Sequence, residues 1–349
     1  MEYVGIDWGY GRAAWCARLP GGDIVAEGLV PADADGLLRL VHRLGPEVKG
    51  CVEMMSGAVW VRDQLAACGW QIEIADARKA KALAPLAAKT DKVDARLLAE
   101  LARRDLVPAL WVPSLSEREL RERLRRRMHL VRLRTSAKGR IFGLLTQWGV
   151  RIKLTRLRQP DGLELLERRG VPEVWRRSVA EALGVIDELD RRVEPLDREL
   201  APLADADRSV ALLETIPGVG QLLGLTLTAE IGDIARFASA RKLVGYSGLS
   251  PRVRQSGKSE RTGALSKSGP KTLRWAAVEA AQSAWRQSNP WHRLYSDVAS
   301  RQGSGQAKAA VARKVLIAAW HVPARNETFK PCRPHGGTVA ASSIEALAT

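Results

Sequence analysis

"EYVGIDWGYGRAAWCARLPGGDIVAEGLV" (residues 2–30) decides the fold of the first part of the chain. It contains three runs rich in apolar, β-branched or aromatic residues: EYVGIDWG, RAAWCARL and DIVAEGLV. The turn sequence LPGG separates the second run from the third. Such runs, bounded by glycine and proline, are typical of consecutive strands. The sequence therefore predicts that the chain begins with a sheet of at least three strands.

The residues that follow alternate between helical and strand patterns. Residues 34–45 have helical periodicity, KGCVEMM (49–55) is a short strand pattern, and VWVRDQLAACG (59–69) is helical again. Strand WQIEIAD (70–76) and helix KTDKVDARLLAELARR (89–104) complete the series. The order β-β-β-α-β-α-β-α is that of the ribonuclease-H-like (RuvC-like) fold, shared by many nucleases, transposases and junction resolvases. We expect residues 1–115 to form this α/β domain.

Four acidic residues fall at informative positions of these elements. Asp7 lies within the first strand, Glu53 ends the fourth, and Asp91 and Asp94 open the last helix, behind the predicted N-cap Thr90. Singly, each has an ordinary explanation, such as a turn or a favourable charge at a helix N-terminus. In a ribonuclease-H-like sheet the first and fourth strands are neighbours, so the four carboxylates would converge. Like charges that close require a cation, which predicts Mg²⁺ or Mn²⁺.

Charge is distributed unevenly along the chain. The 349 residues carry a net charge of +16. Residues 1–115 hold 14 Lys and Arg against 15 Asp and Glu, whereas residues 116–349 hold 41 against 24. This imbalance favours nucleic acid as the partner of the second part, although a generally basic surface is the plain alternative. With no signal-peptide pattern, no membrane-spanning run and scattered cysteines, we expect a cytoplasmic, nucleoid-associated protein with no membrane partner.

The region from 116 to 205 is predicted to be a helical arm. It opens with a capping-box pattern, Ser116 and Glu119, and carries ten Lys and Arg between Arg118 and Arg140. A second long helix has a coiled-coil-like seam, with a kink expected at Pro195, formed by Val179, Leu183, Ile186, Val193, Leu196, Leu200 and Leu203. Two interpretations stay open: a dimerising arm lying along nucleic acid, or an ordinary helical hairpin with a solvated basic face.

The region from 206 to 325 is predicted to be mainly helical and to bind DNA. IPGVG (216–220) between two helical patterns matches a helix-hairpin-helix, in which Gly218 and Gly220 would let backbone N–H groups approach a phosphate. A glycine- and serine-rich loop follows, with Ser256 inside it; most loop serines have no catalytic part. The predicted nucleic-acid contacts beyond the two glycines are Arg252, Arg254, Lys258, Arg261, Lys267 and Arg274. Residues 326–349 lack periodicity and are predicted to be a loose tail.

Several motifs together resemble the DEDD-type insertion-sequence transposases with an added serine, a family of bridge-RNA-guided recombinases related to DNA invertases of pilin genes. They occur in family order and cover most of the chain: GID (5–7), Glu53, KTDKVDARLLAE (89–100), IPGVG (216–220), FASARKLVGYSGLSPR (237–252), QSG (255–257) and LSKSGPKTLR (265–274). Two segments depart from the pattern. EMMSG, which begins at Glu53, is one residue longer before its glycine, and DWGYGR, which begins at Asp7, lacks the Ser-Lys often found after the first aspartate.

The resemblance implies a site-specific recombinase of an insertion sequence. Asp7, Glu53, Asp91 and Asp94 would bind Mg²⁺, and Ser256 would attack DNA to form a phosphoserine intermediate. The implied partners are DNA at the element ends and target, a guide (bridge) RNA, and further copies of the chain in a dimer or tetramer. Two other hypotheses remain: a junction-resolvase-like metal nuclease that uses water as its nucleophile, and a nucleic-acid-binding protein that has lost its chemistry.

Overall fold

The computed structural model describes residues 1–83, 90–256 and 259–331, with the backbone alone for residues 253–256 and 259–262. The predicted contact Lys258 lies outside the described residues, as does most of the predicted tail. The chain divides into two compact units, Met1–Ser114 and Leu115–Thr349. Among the described residues, no helix combines the length and apolar character needed to cross a membrane.

The first unit is a five-stranded mixed sheet with helices on both faces. Its elements, in chain order, are β1 (Glu2–Trp8), β2 (Arg12–Arg18), β3 (Ile24–Pro31), α1 (Ala34–Leu44), β4 (Val48–Glu53), α2 (Ala58–Ala67), β5 (Gln71–Ala75), α3 (Ala77–Leu83) and α4 (Asp91–Arg103). This order confirms the predicted one, with the short helix α3 added. The strands lie in the order β3-β2-β1-β4-β5. The first three are antiparallel, and β4 and β5 continue parallel to β1.

Alternation along β1 sends its side chains to two different layers. Val4, Ile6 and Trp8 are buried in the core beneath α1 and α2. Gly5 and Asp7 belong to the opposite face, as a strand period of two requires. On that face a Cβ added to Gly5 would lie 2.2 Å from the Ala95 carbonyl oxygen of α4. Helix α4 therefore packs its backbone directly against β1, close to Asp7.

The second unit is mostly helical. Its helices are α5 (Leu115–Thr146), α6 (Leu154–Leu157), α7 (Gly162–Arg168), α8 (Glu173–Asp205), α9 (Arg208–Glu214), α10 (Gln221–Ile231), α11 (Ala240–Ser247), α12 (Lys271–Ala280), α13 (His292–Gln302) and α14 (Ser304–Arg325). Helices α5 and α8 form a long antiparallel hairpin, because Arg127 pairs with Asp197 and Arg134 with Asp190. Helix α5 begins at Leu115, so Ser116 lies inside it and the predicted cap position is wrong.

The predicted seam of α8 is largely confirmed, since six of its seven apolar residues are buried and Leu203 is exposed. Pro195 lies within the helix, as does Pro202. A core of small and aliphatic side chains joins helices α9 to α14. Phe329 packs against Trp291, and its N–H donates to the Thr215 hydroxyl, so the chain is held here at the start of the predicted tail.

The segment predicted to be a basic loop is a hairpin, and that prediction was wrong. Strand β6 (Pro251–Ser256) pairs antiparallel with β7 (Ser259–Leu265). Polar residues predominate at successive positions there, so the sequence lacks the apolar face by which a half-buried strand is recognised. Backbone pairing gives the segment a strand conformation that its composition does not indicate.

Candidate active site

Three elements position the carboxylates in the first unit. Asp7 lies on the α4 face of β1, and β4 is the next strand, so Glu53 at its end follows the same edge of the sheet. Residues 51 and 53 of β4 share one face of the sheet, as residues 5 and 7 of β1 do. Cys51 identifies that face, because its thiol donates a hydrogen bond to the Leu98 carbonyl of α4. Asp7 and Glu53 consequently belong to the face that α4 covers.

The first turn of α4 carries the other two carboxylates. The Thr90 hydroxyl oxygen accepts a hydrogen bond from the Val93 N–H, which confirms Thr90 as the N-cap. This cap fixes where the helix begins and therefore where the aspartates stand. Asp91 is exposed, whereas Asp94 has only 8 % of its surface exposed. Burial of Asp94 is costly for a charge, and the positive end of the helix dipole offsets part of that cost.

Electrostatic repulsion connects the four groups. Burial first, and then the neighbouring charges of Glu53, Asp91 and Asp94, raise the pKa of Asp7 from 3.8 to about 6. Lys81 on α3 lowers that pKa, but its effect is the smallest of the five. The predicted carboxylates are thus close enough for each of the other three to disfavour ionisation of Asp7.

Lys81 is a neighbour of the carboxylate cluster that the sequence interpretation missed. Its Nζ lies 3.4 Å from Oε1 of Glu53, which gives this carboxylate a cationic partner from the protein itself. The lysine stands 28 residues away in the chain, in the run ARKAKAL, and nothing in that run distinguishes it from a solvated lysine. Only the packing of α3 beside the end of β4 brings the two together.

The donor chemistry of the cluster fits a hard divalent cation, since all four groups are carboxylates. Their mutual repulsion, seen in the raised pKa of Asp7, is what a bound cation would relieve. In the described parts of the chain, however, no three Asp, Glu, His or Cys side chains are gathered at ligand spacing. A bound cation would therefore require these carboxylates to lie closer together than they do here.

Ser256 ends β6, in the second unit. Its backbone pairs with Ser259 across the hairpin, and Arg254 pairs with Arg261. The side chains of these four residues lie outside the described part of the structure. The two serines are therefore opposite each other in register, so neighbouring positions of one hairpin end carry both candidate nucleophiles.

The remaining predicted contacts of the basic segment have protein partners or unusual backbone angles. The Arg252 guanidinium donates to the Ser266 carbonyl at 3.3 Å, and Arg274 donates to the Ser247 carbonyl at 2.9 Å. Lys267 has a φ of 53°, in the left-handed region where a residue with a side chain is strained. Such strain is often found at functional sites, and Lys267 is exposed.

The two glycines of the helix-hairpin-helix differ in what they require. The turn between α9 and α10 lies where it was predicted, and Gly218 has a φ of 87°. A Cβ at Gly218 would lie 2.0 Å from the Ala280 carbonyl oxygen, so internal packing alone accounts for this glycine. A Cβ at Gly220 would meet nothing within 4 Å. Of the two glycines, Gly220 is therefore the one with open space beside its backbone.

Comparison with known proteins gives two family matches. Residues 4–149 match the DEDD transposase model of the IS110 family, described as "Transposase". Residues 210–297 match the model described as "Transposase IS116/IS110/IS902 family". The first match contains all four carboxylates, and the second contains the helix-hairpin-helix turn and the β6–β7 hairpin.

Similar proteins include transposases and a DNA-inverting protein. The transposase for insertion sequence element IS1111A of Coxiella burnetii is 27 % identical over 252 residues, covering 69 % of this chain and 68 % of the relative. The transposase for element IS1328 of Yersinia enterocolitica is 24 % identical, covering 80 % of this chain and 84 % of the relative. The pilin gene-inverting protein of Moraxella bovis is 28 % identical, covering 69 % and 68 %.

Proposed function

The chain is a transposase of the IS110/IS116 family, and we propose that it cuts and rejoins DNA through a phosphoserine intermediate formed by Ser256. The observation that supports a DNA-cutting site is the convergence of four carboxylates, since Glu53, Asp91 and Asp94 all contribute to the raised pKa of Asp7. The role of Ser256 rests on the family resemblance. A structural aspartate on a strand would not need three carboxylates beside it. Their convergence supports a site built for a cation and a phosphodiester.

We infer that the first unit is ribonuclease-H-like. The support is the sheet order β3-β2-β1-β4-β5, with three antiparallel strands followed by two parallel ones, and the covering helix α4. In this arrangement the acids of β1 and β4 lie on adjacent strands and the acids of α4 lie above them. The fold would thereby assemble the site from segments 46 and 38 residues apart, from position 7 to 53 and from 53 to 91.

Asp7, Glu53, Asp91 and Asp94 would hold Mg²⁺ or Mn²⁺. Domains of this DEDD type typically use a divalent metal. When bound, the metal supplies positive charge that neutralises the phosphate and stabilises the departing oxygen. The residues of this chain contribute by position: the Thr90 cap and the contact of Gly5 with Ala95 fix α4 relative to β1.

The proposed covalent step balances without a further cofactor. The Oγ atom of Ser256 forms a bond to phosphorus, its hydrogen passes to a base, and the bond from phosphorus to a deoxyribose oxygen breaks. That oxygen takes up a proton. One phosphate ester replaces another, so attack by the freed hydroxyl of a second strand can reverse the step and rejoin DNA. The relatives that invert pilin genes act on DNA in a way that such rejoining would serve.

Guidance by a bridge RNA is the part of the proposal that goes furthest beyond the observed contacts. It rests on the family resemblance and on the excess of 41 Lys and Arg over 24 Asp and Glu in residues 116–349. A structured RNA encoded beside the gene would pair with the element ends and with the target. The expected assembly, a dimer or tetramer, would hold the DNA partners together.

A labelled-DNA assay tests the chemistry. Wild type, Ser256→Ala and Ser259→Ala would each be incubated with labelled target DNA, Mg²⁺ and the RNA transcribed from the flanking sequence, then denatured before electrophoresis. We expect a covalent protein–DNA band from wild type and from Ser259→Ala, and none from Ser256→Ala. Loss of the band from Ser259→Ala alone would move the nucleophile to Ser259. Cleavage by wild type with no band at any time would favour the water-using nuclease.

A further inference from the structure

Arg313 is a half-buried arginine that none of the predicted sites includes. It lies on α14, 16 residues beyond the last residue, 297, of the second family match. Its Nη1 donates to the Leu249 carbonyl oxygen at 3.4 Å, a long hydrogen bond. Burial lowers the pKa of its guanidinium, which is the sign of a charge partly removed from water.

No carboxylate of the described residues forms an ion pair with Arg313, and charged neighbours do not contribute to its pKa. A guanidinium has five N–H donors. Every nitrogen of Arg313 that is buried has a hydrogen-bond partner, so the donors not used on Leu249 reach solvent. The side chain therefore presents donors outward while its stem is fixed in the protein.

Other arginines of the same unit are used differently. Arg121 is buried and donates to the Ala229 carbonyl at 2.7 Å and the Glu230 carbonyl at 3.2 Å, at the C-terminal end of α10. Arg125 makes an ion pair with Glu230 at 2.9 Å. The hydrogen bonds of Arg121 and the ion pair of Arg125 are both made within the protein, and these contacts explain why the two arginines lie there. Within the described part of the chain, Arg313 has one long bond and no counter-ion.

The segment that Arg313 contacts has a second partly buried arginine and a strained turn beside it. The segment from 247 to 252 is contacted by Arg274 at Ser247 and by Arg313 at Leu249, and Lys267 donates its backbone N–H to Gly248 at 3.0 Å. A partly buried positive charge without a carboxylate partner is costly, and an anion bound at Arg313 would offset that cost. Over residues 206–349 the chain has 20 Lys and Arg against nine Asp and Glu.

We propose that Arg313 and its neighbours at the base of the β6–β7 hairpin form a binding site for a nucleic-acid phosphate. This inference rests on the proposed function, which supplies the nucleic acid. Arginine suits the role, since its planar fork can bind two phosphate oxygens together.

The hairpin separates this phosphate from the one that Ser256 would attack. Strand β6 begins at Pro251 and reaches Ser256 five residues later, a distance of about 17 Å at roughly 3.3 Å per residue. Arg313 stands at the near end of that strand. Arg313 would therefore contact the nucleic-acid backbone at a point remote from the reacting bond, and its removal should weaken binding.

Salt dependence of DNA binding by the full chain tests the site. Arg313→Gln is compared with Lys314→Gln, which removes the same charge from the next, exposed position of α14. We expect Arg313→Gln to bind duplex DNA about tenfold more weakly. The slope of log K against log salt should become shallower by about 0.9, the value for one phosphate. Lys314→Gln should change neither by as much. An unchanged slope and affinity in Arg313→Gln would overturn the proposal.

Thermal unfolding without nucleic acid separates binding from structure. Removing a charge that the protein does not neutralise should leave the midpoint of Arg313→Gln equal to that of wild type or above it. Sulfate, compared with chloride at equal ionic strength, should raise the midpoint of wild type and Lys314→Gln more than that of Arg313→Gln. A lower midpoint together with an equal response to sulfate would show that Arg313 only supports Leu249, and would overturn the site.

Arg313→Lys serves if Arg313→Gln fails to fold. It keeps the charge and loses the fork, so sulfate should raise its midpoint less than that of wild type, whereas an equal rise would overturn a forked phosphate contact. The outcomes are independent of the serine chemistry. If wild type forms no covalent band but Arg313→Gln still binds DNA with a shallower salt slope, the phosphate site stands and the proposed reaction fails.

Discussion

Replacing Asp7 by asparagine should stabilise the metal-free protein at neutral pH. The pKa of Asp7 is raised from 3.8 to about 6, first by burial and then by Glu53, Asp91 and Asp94. A raised pKa means that the folded state binds the proton more tightly than the unfolded state. Stability is therefore highest below the unfolded value of 3.8 and falls as pH rises through about 6. Asparagine keeps the shape and removes this loss.

The magnitude follows from the pKa. A rise from 3.8 to about 6 corresponds to about 3 kcal/mol at pH 7. Since Asp7 is only half-buried, solvent screening reduces this to about 1 to 2 kcal/mol. The measurement is urea unfolding of wild type and Asp7→Asn in the presence of a chelator, at pH 7 and at pH 4. Hydrogen exchange of the β1 amides assigns the change to the first unit.

Asp105→Asn is the control of opposite sign. A hydrogen bond from Lys49 lowers the pKa of Asp105, so its contribution to stability is present above the unfolded pKa and is lost as pH falls through the folded one. This variant should lose stability at pH 7. If Asp7→Asn were also less stable than wild type at pH 7 without metal, or if its gain persisted at pH 4, repulsion within the carboxylate cluster would be refuted.

Four further substitutions test internal contacts by urea unfolding. Gly5→Ala should cost at least about 3 kcal/mol, because its Cβ would meet the backbone of α4 at 2.2 Å; wild-type stability would mean a looser α4. Gly218→Ala should cost about 2 kcal/mol or more, whereas Gly220→Ala should stay within about 0.5 kcal/mol, and equal costs would contradict the different surroundings of the two glycines. Arg121→Met should cost about 3 kcal/mol because the buried carbonyls of Ala229 and Glu230 lose their hydrogen-bond donor; a neutral effect would contradict that.

Local patterns predicted the first unit because its elements obey them closely. Strand β1 alternates between two layers, and Thr90 has the side chain that a helix start needs. Strand neighbours followed from the order of elements, so the convergence of Asp7 with Glu53 could be expected before any coordinates. The partner of Glu53 could not. Lys81 contacts Glu53 only because the short helix α3 packs nearby, and a lysine in a helical run of sequence does not indicate such a contact.

The second unit shows the limit of local patterns more clearly. The β6–β7 hairpin is held by backbone pairing in a polar segment, whose composition favours a loop. The basic character of α5 was equally misleading, because its partners are far away in the chain. Arg127 pairs with Asp197, Arg134 with Asp190 and Arg123 with Glu199, all on α8. A count of charged residues along α5 makes these arginines look unpaired, although each forms an ion pair with an acidic residue of α8.

This pairing changes where nucleic acid is expected to bind in the second unit. Residues 116–205 hold 21 Lys and Arg against 15 Asp and Glu, and many of these charges face each other across the α5–α8 hairpin. Residues 206–349 hold 20 against nine, and the described ion pairs that involve this segment are Arg125 with Glu230 and Lys330 with Glu327. Counterion release depends on cations that remain available for phosphates. The interpretation of the arm as a helical hairpin with a solvated face therefore gains support, and the turn at Gly220, the β6–β7 hairpin and Arg313 become the favoured path for the nucleic-acid backbone.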